Sequence, residues 1–344
     1  LKTAGAGALV TGAGLSSLTL AQSVMTPLPI LPMTDLTKGI EGRIPFALNP
    51  SSHDFGNGEA SKTLGINSRY LGPVLRVKQG QTLPFDVANG IGDTTTIHWH
   101  GLHIPGAVDG GPHQEIEQGK TWSPDVPIVQ HASMNWFHSH MHGKTARQTY
   151  EGLAGVMLVE DDGSLSADLP QTYGVDDFTL VLQDKTFDAN GSMSYELTGQ
   201  VFEDGYEGDT LVVNGAIAPL GQAVPMGLVR LRILNACNAR FLQLSMETGP
   251  VIVIESDGGL LAAHVEAESF MLSPGERYEL LVDMTSLQSN TLNVNLNGDQ
   301  GGFFSNLFGG NQPLAALTLT QNGDTGVTGS MPSRLANLAP PVRG

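Results

Sequence analysis

Short apolar runs alternate with clusters of glycine, proline, asparagine and aspartate along most of the chain. Runs of this length between turn signals predict β-strands, and their number predicts antiparallel sandwiches or barrels with very little helix. Dipeptides such as Asn190-Gly191, Asn214-Gly215 and Pro274-Gly275 mark turns between them. The strand candidates in the N-terminal half are residues 74–77, 82–88, 94–100, 121–126, 135–140 and 155–160. Those in the C-terminal half are residues 178–183, 210–214, 228–234, 241–246, 251–255, 268–272, 277–283, 291–296 and 315–319.

The length of 344 residues is large for one core and fits two domains. We predict a first domain over residues 46–165 and a second, structural domain over residues 172–325, joined by a polar linker at 161–171. Residues 22–45 contain three prolines and predict an extended lead-in. Residues 326–344 are rich in Gly, Pro and Ser, and we expect them to be a linker to a further domain.

The N-terminal residues 1–21 have the composition of an export segment. Lys2 is followed by a small, apolar and uncharged stretch that ends in Thr19-Leu20-Ala21, a plausible cleavage site. The stretch is too weakly hydrophobic to predict a membrane span. It resembles the tail of a twin-arginine signal, which predicts a periplasmic or extracellular mature protein.

Charge and cysteine content narrow the class of protein. There are 34 acidic and 17 basic residues, which gives a formal net charge of −17. Such a surface disfavours nucleic acids and anionic membranes as partners, and its simplest role is solubility. The single cysteine, Cys237, excludes an intrachain disulfide. It lies in an apolar run without a neighbouring histidine, so we expect a core residue and not a copper ligand.

Two His-x-His pairs dominate the candidate chemistry: His98 with His100, and His138 with His140. Each pair belongs to a predicted strand, where residues two apart point to the same face. If the two strands are neighbours, four imidazoles converge, and imidazole is a ligand for copper, zinc, iron or nickel. We expect His103 and His142 to lie outside the ligand set. The unpaired histidines, which we interpret as ordinary core or surface residues, are His53, His113, His131 and His264.

The sequence HWHG at 98–101, followed by HSHMHG at 138–143, resembles the first-domain copper motifs of multicopper oxidases. Flanking segments resemble the bacterial copper-efflux (cuprous oxidase) branch, which is close to bacterial laccases. The likeness extends from about residue 40 to the end of the chain, and it implies two consecutive cupredoxin-like Greek-key β-barrels, an all-β fold. The flanking segments are GLHIPGAVDGGP at 101–112, GKTARQTYEGLAGVMLVED at 143–161, DTLVVNGA at 209–216, LRILNACNAR at 231–240 and SDGGLL at 256–261.

The resemblance also implies residue roles. His98 matches a ligand of the type 2 copper, and His100, His138 and His140 match ligands of the type 3 pair. Asp109 matches an acidic residue that delivers protons during oxygen reduction, a role that suits a carboxyl group because that reaction consumes protons. The alternative role for Asp109 is that of a turn residue ahead of Gly110-Gly111, and we favour the role in proton delivery.

In the family, eight histidines hold the trinuclear copper cluster, four from the first domain and four from the last. The last domain also carries a His-Cys-His stretch that joins the cluster to the type 1 copper. Neither this stretch nor the second histidine set is present in the 344 residues. The resemblance therefore implies the N-terminal part of a multicopper oxidase, inactive alone, that completes its site with a missing C-terminal cupredoxin domain. The complete enzyme would couple oxidation of Cu(I) or phenols to reduction of O2 to water.

Two alternatives remain open. The same fold serves as a copper-free exported cell-division protein, although retention of all four histidines argues against that role. A two-domain copper oxidase with an intersubunit cluster would need a cysteine between histidines, and Cys237 is not placed so.

Overall fold

The computed structural model describes residues 25–163, 169–199, 205–296, 313–328 and 331–336. It is almost entirely β-structure, which confirms the predicted fold class. The predicted export segment, the centre of the predicted linker at 161–171 and the end of the tail lie outside the described residues. No helix in the ranges given above is long and apolar enough to cross a membrane.

The first domain consists of two five-stranded sheets packed face to face. One sheet has the order β2-β5-β11-β10-β7, and the other has the order β4-β3-β6-β8 with β9 paired to β6. After the short strand β1 (Thr26–Pro27), its elements are β2 (Met33–Asp35), β3 (Ile44–Asp54), β4 (Ala60–Ile66), β5 (Val74–Lys78), β6 (Thr82–Asn89), β7 (His98–His100), a 3-10 helix (Gly106–Val108), β8 (Thr121–Trp122), β9 (Asp125–Pro127), β10 (Ser133–His138), α1 (Thr145–Glu151) and β11 (Ala154–Glu160).

The second domain packs a six-stranded sheet against an eight-stranded one. The six-stranded order is β1-β16-β24-β23-β18-β21, and the main path of the larger sheet is β15-β14-β12-β17-β22-β19-β20. Its strands are β12 (Asp177–Phe187), β13 (Met193–Ser194), β14 (Thr210–Val213), β15 (Ala216–Ile217), β16 (Leu220–Met226), β17 (Leu228–Asn235), β18 (Leu242–Met246), β19 (Val251–Ser256), β20 (Gly259–Ala267), β21 (Ser269–Leu272), β22 (Arg277–Asp283), β23 (Ser289–Asn295) and β24 (Leu314–Thr325).

Both ends of the described chain contribute to the sheets and their packing. The lead-in provides β1, which pairs in parallel with β16 of the second domain, and β2, which pairs in parallel with β5 of the first. In the tail, Val327 forms a β-bridge with Leu228. Leu335 is buried against Ile254 and Leu281. The lead-in thus connects both domains, and the described tail packs on the second.

An apolar cluster fills the interface between the domains. It combines Val74, Met134 and Trp136 of the first domain with Val181 and Leu234 of the second. All six residues of β10 are buried, since one face of that strand covers the first-domain core and the other meets the second domain. Burial on both faces removes the polar–apolar alternation that a half-exposed strand shows. Cys237 is buried in the second-domain core, where burial raises the pKa of its thiol well above the usual value.

Lys185 is fully buried beside the domain interface. Its Nζ donates to the carbonyl oxygen of Tyr150 and lies 3.8 Å from the centroid of the Tyr150 ring. Burial lowers the pKa of Lys185 from 10.5 to about 7.

The lowered pKa of Lys185 predicts a pH-dependent stability. Between pH 7 and 10.5 the unfolded chain holds a proton that the folded chain has released, so this group adds stability as the pH rises. We expect the free energy of unfolding of the wild type, minus that of Lys185→Met, to increase by up to about 1.4 kcal/mol per pH unit above pH 7. Urea unfolding at pH 7, 8 and 9 measures this difference, and a pH-independent difference would contradict the assignment.

Candidate metal centre

Strands β7 and β10 bring the two histidine pairs together. They are antiparallel neighbours, with His98 opposite His138 and His100 opposite Trp136. These four side chains therefore share one face of the sheet. Trp99 and Phe137 occupy the other face and belong to the first-domain core. The condition on which the convergence depends, that the two strands are neighbours, is therefore met.

His140 reaches the cluster from a loop, because β10 ends at His138, two residues earlier than predicted. The backbone N–H of His140 donates to Thr96 Oγ1 at 2.9 Å. Ser139 is buried, and its Oγ donates to Gln148 Oε1 of α1 at 2.5 Å. Helix α1 was not predicted, and the sequence carried no separate signal for Gln148 as the residue that holds this turn.

The four imidazoles form a compact group. One nitrogen from each of His98, His100 and His138 lies within 4.8 Å of the others. His100 Nδ1 is 3.2 Å from His138 Nε2. The ring of His140 lies 5.2 Å from that of His98 and 6.0 Å from that of His138. His138 is buried, whereas His98, His100 and His140 are partly exposed.

Hydrogen bonds orient two of the rings. His98 Nδ1 lies 3.0 Å from the carbonyl oxygen of Asp109 and 3.2 Å from its Oδ1. His138 Nδ1 lies 2.7 Å from the carbonyl oxygen of Ser139. Because a carbonyl oxygen can only accept, Nδ1 carries the proton in both rings, which leaves Nε2 as the nitrogen that can bind a metal. The Nε2 of His138 faces His100 Nδ1 at 3.2 Å.

The loop that carries Asp109 packs directly on β7. The carbonyl oxygen of Asp109 also accepts the backbone N–H of Trp99 at 3.1 Å. Gly110 has φ +74°, and a Cβ there would lie 1.6 Å from the carbonyl oxygen of Ile97. Only glycine fits this approach, which sets Asp109 beside His98. The Asp109 side chain is about one-third exposed (34%), so its carboxyl group contacts both His98 and solvent.

Burial keeps the inner rings neutral. It lowers the pKa of His100 to about 4, with a further contribution from the positive charge of Arg277. Burial also lowers the pKa of His138 well below its usual value. Neutral, convergent imidazoles fit copper and other borderline transition metals, whereas calcium and magnesium prefer oxygen ligands. The donor set is therefore chemically suited to copper.

Three neighbours of the cluster were not singled out by the sequence. The Trp136 ring stacks on His138 at a centroid distance of 4.0 Å and lies 5.0 Å from His100. From the second domain, a Cβ on Gly275 would lie 3.4 Å from His100 Cε1. Arg277 hydrogen-bonds to strand β10. Trp136 and His138 are two residues apart on one face of β10, but the contacts of Trp136, Gly275 and Arg277 with the other strand or domain join positions distant in sequence, and no local pattern marks those.

The remaining histidines are placed differently. His103 and His142 are exposed. His53 stacks on Tyr70 and bonds the carbonyl oxygen of Gly215 at 2.7 Å. His131 and His264 lie near Asp161 and Glu266, respectively. Within the described residues, the group of metal donors at close range consists of His98, His100 and His138.

Comparison with known proteins places this geometry in a family. Profiles described as multicopper oxidase match residues 48–164 and 158–309. The cell division protein FtsP of Salmonella typhimurium is 37% identical over 313 residues, which cover 91% of this chain and 65% of the relative. FtsP of Escherichia coli is 40% identical over 261 residues, which cover 76% of this chain and 54% of that protein. The chain thus spans about two thirds or less of the length of these relatives.

Solved structures give the same result. The laccase-like multicopper oxidase CueO from Ochrobactrum sp. superimposes with a TM-score of 0.83 at 39% identity, covering 92% of this chain and 68% of that protein. The multicopper oxidase McoA from Aquifex aeolicus superimposes with a TM-score of 0.81 at 30% identity, covering 92% of this chain and 69% of that protein. With the sequence profiles and the four convergent imidazoles, these likenesses show that the chain belongs to the multicopper oxidase family.

Proposed function

We propose that this chain provides one half of the copper centre of an oxidase that couples one-electron oxidation of its substrate to reduction of O2 to water. The observation that carries the proposal is the convergence of His98, His100 and His138 on one face of the sheet edge formed by β7 and β10, with His140 beside them in the following loop. The lowered pKa values of His100 and His138 support it, because a metal ligand must be a neutral ring with a lone pair to offer.

The four histidines have distinct roles in this proposal. His98 would hold the type 2 copper, and His100, His138 and His140 would hold the type 3 pair. Bound copper would supply the single-electron steps and the four-electron reduction of O2. The protein supplies fixed ring orientations, through the carbonyl oxygens of Asp109 and Ser139.

Asp109 is the candidate proton carrier. Its carboxyl group is close to His98 and partly exposed, so it can exchange protons with solvent beside the site. In the complete, copper-loaded enzyme we expect Asp109→Asn to lower the rate of oxygen reduction on the order of 10²-fold. Copper content should be unchanged, because the backbone carbonyl that orients His98 remains.

Asp93→Asn is the matched control, because Asp93 is a half-exposed first-domain carboxylate paired with Lys144. Stopped-flow reoxidation of the reduced enzyme by O2 measures the rate. If Asp109→Asn reoxidises as fast as the control, Asp109 is only a turn residue.

The proposal requires further ligands from outside the described residues, which a C-terminal cupredoxin domain with a type 1 copper would supply. Its test is oxygen consumption by the complete, copper-loaded gene product with Cu(I) or a phenol. Turnover is expected there, and the 344-residue chain alone should bind Cu(II) without blue thiolate absorption, since Cys237 is buried. Turnover by the 344-residue chain alone would instead support an intersubunit cluster. A fully copper-loaded gene product without turnover would contradict the proposal.

The substrate class is Cu(I) or a phenol. Support for phenols comes from the Ochrobactrum relative, which is described as having oxidase activity towards lignin model compounds and lignosulfonate. We further propose that the protein works in the periplasm or outside the cell, after export by the twin-arginine route. Replacing the export segment and locating the protein by cell fractionation tests that step.

A role in cell division is the second candidate, favoured by 37–40% identity to FtsP proteins. In that role the protein would act without copper. A variant with all four histidines changed to alanine should then still complement a division defect of the deletion strain. If only the wild type complements, the role depends on the histidines and its independence of copper is contradicted. If the deletion strain divides normally, the cell-division role itself is contradicted.

A further inference from the structure

Strand β10 continues beyond the end of its partner β7. The pairing stops at Trp136 opposite His100, because Gly101 turns the chain away with φ +93°. The next residue of β10 with both backbone groups facing this edge is Met134. Met134 is buried, so its N–H and C=O need partners that β7 cannot provide.

Beyond the end of β7, two side chains of the second domain pair with Met134 in place of a neighbouring strand. The N–H of Met134 donates to Glu255 Oε1 at 2.5 Å, and its C=O accepts from Arg277 Nε at 3.0 Å. A carboxylate acceptor and a guanidinium donor thus reproduce the pair of hydrogen bonds that another strand residue would make. Glu255 and Arg277 are 2% and 3% exposed.

The space for the guanidinium is built into the first domain. A Cβ on Gly101 would lie 2.6 Å from Arg277 Nη2 and 2.4 Å from Asn135 Oδ1. On the second-domain side, Arg277 Nη1 contacts Asp257 Oδ1 at 2.8 Å, and Nη2 donates to the Asp257 carbonyl oxygen at 3.1 Å. Arg277 is therefore held between the HWHG motif and its own domain.

We infer that Glu255 and Arg277 are positioning residues that fix the register and height of β10, and through it the rings of His138 and His100. The inference rests on the proposed copper-binding function. Met134 lies two residues before Trp136, which stacks on His138 and pairs with His100. A metal centre tolerates little displacement of its ligands, so loss of this anchor should weaken copper binding.

The sign of the change in copper affinity after Arg277 is replaced distinguishes a positioning role from an electrostatic one. Arg277 carries a positive charge close to the cluster, because its Nη2 would lie 2.6 Å from a Cβ on Gly101, the residue after His100. Removing a nearby positive charge alone would tighten the binding of a cation. Weaker binding after the charge is removed can therefore come only from lost ligand geometry or lost folding.

The test is Cu(II) titration of the 344-residue protein in competition with a chelator, with EPR spectra of the bound metal. Arg277→Met is expected to weaken Cu(II) binding by about 10- to 100-fold and to alter the EPR spectrum. Arg277→Lys, which keeps the charge, should bind about tenfold more weakly than the wild type. If Arg277→Met does not fold, Arg277→Lys alone tests the positioning role.

Arg240→Met is the matched control. Arg240 is also a second-domain arginine at 9% exposure, and it pairs with the buried Asp184 instead of β10. The Arg240→Met variant should lose thermal stability but keep the Cu(II) affinity and the EPR spectrum of the wild type. If both Arg277 variants bind Cu(II) like the Arg240→Met control, the positioning role is overturned. If the wild type binds no Cu(II), the proposed function fails instead.

A measurement without copper tests separately whether Glu255 holds strand β10. Hydrogen exchange of the peptide that covers β10 should be faster in Glu255→Leu than in the wild type. Glu255→Gln retains the acceptor oxygen and should restore protection. Equal protection in all three proteins would show that Glu255 does not hold the strand.

Discussion

The double variant His100→Ala/His138→Ala of the 344-residue protein is expected to lose Cu(II) affinity by more than about a hundredfold. These rings supply two of the three nitrogen donors that lie within 4.8 Å of one another. Even the loss of residues that only orient metal ligands costs about 10- to 100-fold in affinity, so the loss of two ligands must exceed that range. Titration against a competing chelator measures the change.

His264→Ala is the control, since it removes an imidazole that lies in the second domain near Glu266. Thermal unfolding of both variants should show that they are folded, so that lost affinity reports on ligands. Copper binding by the double variant at wild-type strength would place the metal elsewhere and remove the basis of the proposed function.

Arg232→Met is expected to lower the free energy of unfolding by about 3–5 kcal/mol, because it leaves the buried Asp177 without its cation, whereas Glu279 keeps its pair with Arg230. Arg232 Nε and Nη2 donate to the two carboxylate oxygens of Asp177 at 2.7 and 2.8 Å, and Nη1 donates to Glu279 at 2.5 Å. Both acids are fully buried. The urea-unfolding transition of the purified protein measures the loss.

Arg147→Met is the comparison. The pair of Arg147 and Glu151 on α1 has the same chemistry at 2.8 Å, but the arginine side chain is 66% exposed. Exposed pairs of this spacing contribute about 0.3–0.5 kcal/mol, because water and salt screen them. Equal losses in the two variants would mean that the buried Asp177 does not depend on Arg232 as its cation.

Many of the strands were predicted from the sequence. The strand predicted at 277–283 coincides with β22, and those at 74–77, 82–88 and 155–160 agree with β5, β6 and β11 within one residue or two. These strands have apolar runs bounded by turn residues, so local pattern and tertiary environment agree. Asn214-Gly215 turns β14 into β15 with φ of +51° and +82°, as an Asn-Gly hairpin requires.

Other elements lacked a clear local signal. Strand β3 runs from Ile44 to Asp54 and contains Pro50, a residue that usually argues against a strand. Strand β20 is partly or fully exposed from Leu261 onward, so little of it is marked by a buried apolar run. Helix α1 has only seven residues, too few to establish a helical period. Strands β3 and β20 form because they pair with neighbouring strands, and helix α1 forms because it packs on the first domain.

The sequence by itself determined the chemistry of the site: two His-x-His pairs, an aspartate ahead of two glycines, and a cysteine without histidine neighbours. Strand alternation was enough to place His98 and His100 on one face, because that rule is local. Only the tertiary structure decided that His140 arrives from a loop and that Gln148 holds that loop. It also decided that Glu255 and Arg277 of the second domain complete the edge of β10, because such contacts depend on how distant segments pack and leave no periodic trace in the chain.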